Sequence, residues 1–295
     1  MTDRLGGYDL AKTFSILLLF PVHSFILASY PVVGDVMNYL FLGIFFYVSG
    51  FFACHELETK SSEEFLKNKI RKLYVPYAFF TVFYALCIPE FGTDLNGIVK
   101  LLLGLGLYRG SWIVGQYLWF VPCLLVYMAV LGLFHNKHAC LMLWAAALYL
   151  QPWMDARIAI YFPVFLLGAY SSKTSLTNLA MIVGVAYLGA YCSMPPLPSL
   201  FQATLATILL VLPAVYVFSH VTMKIPLTET IAKSTLYIYL LEPCVGYVAG
   251  ILLAGAWYVD VLPPLGLVMI ALRVVFTVSL GIGIFKLVEK VKLRF

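Results

Sequence analysis

Long apolar runs dominate the chain. They fall near 10–30, 36–55, 73–89, 95–108, 113–134, 139–151, 158–170, 176–193, 199–219, 231–254 and 263–285. Many approach the length of about 20 residues that crosses a bilayer as a helix. None shows the strict apolar–polar alternation of a membrane barrel strand. The pattern predicts an all-α integral membrane fold. We expect a bundle of about ten transmembrane helices plus one re-entrant or interfacial helix, forming a single polytopic domain over 1–295. The longest polar stretch, His55 to Lys72, suits a loop followed by a helix start. The first run is long, carries Pro21 and His23, and lacks a small-residue cleavage site. It therefore reads as a retained helix and not as a cleaved signal.

Positive charge decides how many runs cross. With the N-terminus inside and 95–108 demoted, the inner segments hold 15 of the 19 Lys and Arg residues. Cytoplasmic loops carry such an excess. The basic ending "KLVEKVKLRF" then also lies inside, so the number of crossings is even and ten is the natural count. Eleven crossings would put that basic tail outside. The 95–108 run is short, has Lys100 in its middle, and contains Gly104 and Gly106, which fits a re-entrant or interfacial helix.

Composition supports this class. Hydrophobic residues make up 62% of the 295 positions and charged residues 11%, with a mean hydropathy of +0.94. A soluble domain of this length could not bury so much apolar surface. The net charge of +5 is spread along inner loops, so it sets topology and predicts no nucleic-acid partner. The six cysteines lie in or beside apolar runs and form no CxxC pair, so they read as small buried hydrophobes. A Cys87–Cys192 disulfide on the outer side stays open. With no zinc spacing and no His-Glu-x-x-His helix, no metal site is expected. The absence of a Walker loop argues against ATP-driven export, and no GxSxG elbow or appended hydrolase-like domain is apparent. Any chemistry is expected inside the bundle.

The first helix concentrates costly groups. Asp9 and Lys12 are three apart and share a face. His23 follows Lys12 by 11 residues, roughly 20° from a whole number of turns and roughly 16 Å further along the axis. The three form one stripe, with His23 deep in the bilayer, where a polar group should face the bundle interior. It is either a structural histidine bonded to a backbone carbonyl or a general base for a hydroxyl. Glu242 and Arg273 fall near half depth of the last two runs, so they could pair. That pair fixes helix packing, or else it shapes an acceptor cavity or orients His23. Lys67, Lys69, Arg71 and Lys72 cluster at the mouth of the third run, where they set topology and touch anionic lipid, or hold phosphate.

The stretch "DLAKTFSILLLFPVH" resembles the first helix of the membrane-bound acyltransferase-3 family, which reads Asp-x-x-Arg followed eleven residues later by His. Lys12 stands at the arginine position. "FLGIFFYVSGFF" (Phe41–Phe52) is similar to the family's second helix with its Ser-Gly-Phe ending. "FLKNKIRKLYVPY" (Phe65–Tyr77) resembles the basic Arg-x-x-Arg segment before a Leu-x-x-Pro helix start, with Lys69 and Lys72 at the arginine positions. "YLWFVPCLLVY" (Tyr117–Tyr127) resembles a Leu-Trp-Phe helix of the branch acting on sugars. A late helix that often reads Tyr-Leu-x-His is "YIYLLEPCVGY" here, with Glu242 near that place.

The resemblance implies an O-acyltransferase that moves an acyl group, most simply acetyl, from acyl-CoA to a hydroxyl of an envelope carbohydrate. His23 is the implied catalytic residue, as proton acceptor or as acyl relay. Lys69, Lys72 and Arg71 are the implied holders of the donor's phosphates, with Asp9 and Lys12 positioning the donor. Gln116, Trp119, Glu242 and Arg273 are the candidates to line the acceptor site; Trp119 also suits an interfacial anchor. Acetyl-CoA is the expected cosubstrate. The carbohydrate acceptor and the lipid bilayer are the expected partners, at the plasma (inner) membrane with both termini cytoplasmic. The alternative is a non-enzymatic membrane carrier or polysaccharide exporter.

Overall fold

The computed structural model describes residues 2–24, 30–87, 118–134, 156–170, 199–221, 226–254 and 265–292, with positions 98, 99, 102 and 142. Among the described residues there is no strand. The helices are α1 (Thr2–Val22), α2 (Pro31–Leu57), α3 (Ser62–Lys69), a π-helical segment (Ile70–Tyr74), α4 (Val75–Cys87), α5 (Phe120–Phe134), α6 (Ala156–Tyr170), α7 (Ser199–Ser219), α8 (Pro226–Ala254) and α9 (Leu265–Lys292). The described residues are thus all-helical, with helices apolar enough for a membrane protein. Among the described residues, four spans are long and apolar enough to cross a bilayer: Val32–Leu57, Gln202–Ser219, Pro226–Leu252 and Leu265–Val291. Phe120–Phe134 and Arg157–Tyr170 are apolar but shorter. Run 176–193 lies wholly outside the described residues, and runs 95–108 and 139–151 almost wholly so. The expected interfacial helix at 95–108 lies there too, as does Cys192; Cys87 carries a free thiol.

The described residues group into two compact units, 1–45 with 210–295 and 46–209. In the first unit α1 packs against α8, and α8 against α9. Ala11, Ile16, Leu19 and Phe20 of α1 are fully buried. Hydroxyls on the same helix reach neighbouring backbones: Thr13 Oγ1 donates to the Thr228 carbonyl at 2.9 Å, and Ser15 Oγ to the Phe41 carbonyl at 2.5 Å. Such bonds satisfy polar groups that lipid cannot. Gly281 lets α9 approach α8 closely, since a Cβ there would meet Ile238 Cγ1 at 2.5 Å. The other side of α9 exposes Leu267, Val275, Phe276 and Leu287, as a lipid-facing surface requires.

In the second unit the sequence dictates a sharp helix start. Ser61 Oγ accepts from the Glu64 amide at 3.2 Å, and Glu63 and Glu64 occupy the first turn of α3. Both features favour a helix N-terminus. Helix α3 runs on through the π-helical segment, where the Val75 amide donates back to the Ile70 carbonyl. Pro76 explains the widening: it cannot donate to the carbonyl four residues earlier, and its ring would crowd that carbonyl. Helices α2 and α6 cross through paired glycines. Gly50 lies against the Phe165 backbone carbonyl, and Gly168 against that of Tyr47. Small residues let backbones approach this closely. Around the crossing, Phe46 packs on Phe120, Tyr127 and Tyr161 at ring distances of 4.8, 5.1 and 5.1 Å.

Candidate functional site

The first apolar run extends in sequence to residue 30, yet α1 ends at Val22. The His23 amide makes the last helical bond, to the Leu19 carbonyl at 2.9 Å, and Ser24 Oγ turns back to the Pro21 carbonyl at 2.5 Å. His23 therefore sits on the turn that closes α1 and not within a continuous helix. Helix ends leave carbonyls without intrahelical partners. Here Arg273 Nη1, from α9, donates to the His23 carbonyl at 2.8 Å. A cation at a helix C-terminus also complements the helix dipole.

The same arginine pairs through Nη2 with Glu242 Oε1 on α8. The other carboxylate oxygen, Oε2, lies 3.1 Å from His23 Nδ1. Three residues thus close a ring: the His23 imidazole to Glu242, Glu242 to Arg273, and Arg273 back to the His23 backbone. Glu242 and Arg273 are each 1% exposed, whereas the His23 side chain is 22% exposed. The acid–guanidinium pair is sealed and the imidazole is the open member. Two buried opposite charges tolerate low dielectric only together. A carboxylate at Nδ1 fixes the imidazole tautomer and orientation, leaving Nε2 as the basic nitrogen.

Glu242 and Arg273 pair, and the Glu242 carboxylate lies against His23 Nδ1. Asp9 and Lys12 neighbour one another around the middle of α1, with Glu229 and Lys233 of α8 in electrostatic reach. Lys233 is itself bonded to Glu229 at 2.6 Å.

The basic candidates belong to the second unit. Arg71 and Lys72 are exposed on the π-helical segment. Lys69 is not: its side chain is 15% exposed, its Nζ lies 5.0 Å from the Phe65 ring centroid, and it donates to Glu56 Oε2 at 2.5 Å. Burial holds the Lys69 ammonium below the ordinary lysine range, against the opposing pull of Glu56. Lys60 donates to the other Glu56 oxygen at 2.7 Å. Trp119, 7% exposed, is buried beside Phe46, Phe120 and Tyr161, with the Arg157 guanidinium 4.2 Å over its ring. Its ring is therefore packed by protein groups. Gln116 lies outside the described residues.

Sequence reasoning missed Glu56, Lys60 and Arg157. The spacing of Glu56 and Lys60, four apart, was a usable signal; the Glu56–Lys69 and Trp119–Arg157 contacts had none. Among the described residues no cluster of His, Cys, Asp and Glu has the makings of a metal site.

A family model described as an acyltransferase domain, Acyl_transf_3, matches residues 5–284. No curated protein matches the chain. No solved structure matches it either. The match takes in almost the whole chain, from α1 with His23 to α9 with Arg273, and the protein belongs to the acyltransferase-3 family of membrane acyltransferases.

Proposed function

We propose that the protein is an O-acyltransferase of the plasma membrane that moves an acetyl group from acetyl-CoA to a hydroxyl of an envelope carbohydrate. One observation carries this reading: an imidazole, open at one edge, is held at Nδ1 by a buried carboxylate that is itself balanced by a buried guanidinium. In the reaction, His23 Nε2 removes the proton of the attacking hydroxyl. The hydroxyl oxygen bonds to the thioester carbonyl carbon, the C–S bond breaks, and the leaving thiolate takes the proton back from Nε2. Glu242 stabilises the transient imidazolium, and Arg273 holds Glu242 in place.

Lys69, Lys72 and Arg71 hold the donor's phosphates, with Lys acting as a point charge where Arg would fork. Asp9 and Lys12, on α1, position the donor. The distribution of Lys and Arg supports ten crossings with both termini cytoplasmic, which places the basic segment where acyl-CoA is found. A single acyltransferase-3-like domain over 1–295 is part of the same reading.

Purified protein with labelled acetyl-CoA and an acceptor carbohydrate tests this. Release of coenzyme A that needs the acceptor supports a transferase, and none would favour a carrier. In single turnover, direct transfer leaves no labelled His23. A trapped acyl-His23 would replace it with relay.

A further inference from the structure

Lys60 and Lys69 share one carboxylate. Glu56 Oε1 takes Lys60 Nζ at 2.7 Å and Oε2 takes Lys69 Nζ at 2.5 Å. Their side chains are 29%, 15% and 19% exposed, for Lys60, Lys69 and Glu56 in turn. Lys69 is thus mostly buried while Lys60 and Glu56 keep contact with water, on the face that carries the basic segment, with Lys72 close enough to act on Lys69. The Lys69 Nζ also lies 5.0 Å from the ring centroid of Phe65, which is fully buried with Gly132 packed against it. The two ammoniums are held side by side by an anion with two oxygens. A phosphate presents the same pair of oxygens with more charge, about −1.5 to −2 for a monoester against −1.

We infer that Glu56 occupies, as an internal stand-in, the place that a donor phosphate takes between Lys60 and Lys69. Lys60 is then a further donor-binding residue, and Glu56 sets donor affinity by competing for both lysines. This inference rests on the reading of Lys69 as a phosphate ligand. The exchange is a pure displacement: the phosphate oxygens accept the two N–H bonds, and the Glu56 carboxylate swings back to water, with no covalent change. Without Glu56 the two ammoniums await an anion, so affinity for coenzyme A should rise and become more salt-dependent.

The test measures coenzyme A binding to the full-length protein in lipid nanodiscs. Glu56→Gln should lower Kd roughly threefold to fivefold, as expected for removing a partly exposed competing ion pair. Lys60→Gln should raise Kd by a similar factor. Thermal unfolding of both variants reports their fold, and Glu56→Asp, which draws the carboxylate back by one methylene, should shift Kd in the same direction as Glu56→Gln but less. Kd unchanged or raised in Glu56→Gln with wild-type unfolding would overturn the inference while leaving the donor reading intact. No binding of coenzyme A to the wild type would overturn both. The measurement is run in phosphatidylcholine discs and again with phosphatidylglycerol. A Glu56→Gln effect confined to the anionic discs would assign the lysine pair to lipid headgroups and overturn the inference.

Discussion

Arg273 joins two tasks in one side chain: it pairs with Glu242 and it donates, at 2.8 Å, to the backbone carbonyl of His23. The turn that presents the imidazole is therefore tied to the group that orients it. Lysine at this position would keep the charge but lacks the planar fork that reaches two acceptors.

Arg273→Met should leave Glu242 buried without its counter-charge. Breaking such a pair costs about 3–5 kcal/mol, to be read as a large fall in unfolding temperature in detergent. The double variant Arg273→Met with Glu242→Gln should regain much of that stability and none of the turnover. A single variant as stable as wild type would contradict the pairing.

Glu242→Gln keeps the shape and removes the charge that steadies the imidazolium; it also leaves Arg273 without its counter-charge, so the unfolding temperature should fall here too. We expect kcat to fall by about 10²-fold or more while the donor KM stays near wild type. Equal losses in both constants would instead indicate a collapsed site, and an unchanged kcat would remove Glu242 from the mechanism.

Lys69 should make donor binding pH-dependent. Burial lowers its proton affinity, with Glu56, Lys60 and Lys72 the charged groups that act on it. The ammonium is present at low pH and is lost as pH rises, at a lower pH than the ~10.4 of a solvated lysine. Donor KM should rise on that alkaline limb. Lys69→Arg, which stays charged, should flatten it. A wild-type KM constant up to the range of free lysine would refute the assignment.

Helix α2 meets α6 through Gly50 and Gly168, each facing backbone on the other helix. Gly168→Ala should force the helices apart at a cost of about 1–3 kcal/mol. It should also loosen the Phe46–Tyr161 stack, at 5.1 Å in the wild type. Wild-type thermal stability for this variant would disprove the close approach.

Much of this was legible in the sequence, and for identifiable reasons. Apolar run length revealed the helical membrane class because lipid forces backbone bonds to close within each segment. The Glu242–Arg273 pair was legible because two opposite charges at similar depth have few other solutions in hydrocarbon. The end of α1 was not legible. It depends on Arg273, 250 residues away in sequence, and on the Ser24 turn, neither of which has a periodic signal. The Glu56–Lys69 contact was hidden in the same way by its separation of 13 residues across a turn. The packing of Trp119 was hidden too, because it depends on Arg157 and Tyr161, far from it in sequence.

The most direct test concerns the imidazole itself. Acceptor-dependent release of coenzyme A from acetyl-CoA is to be compared between wild type and His23→Ala, with thermal unfolding measured in parallel. The account predicts a loss of about 10²–10⁴-fold in kcat with the unfolding temperature little changed. Wild-type turnover in His23→Ala would contradict it.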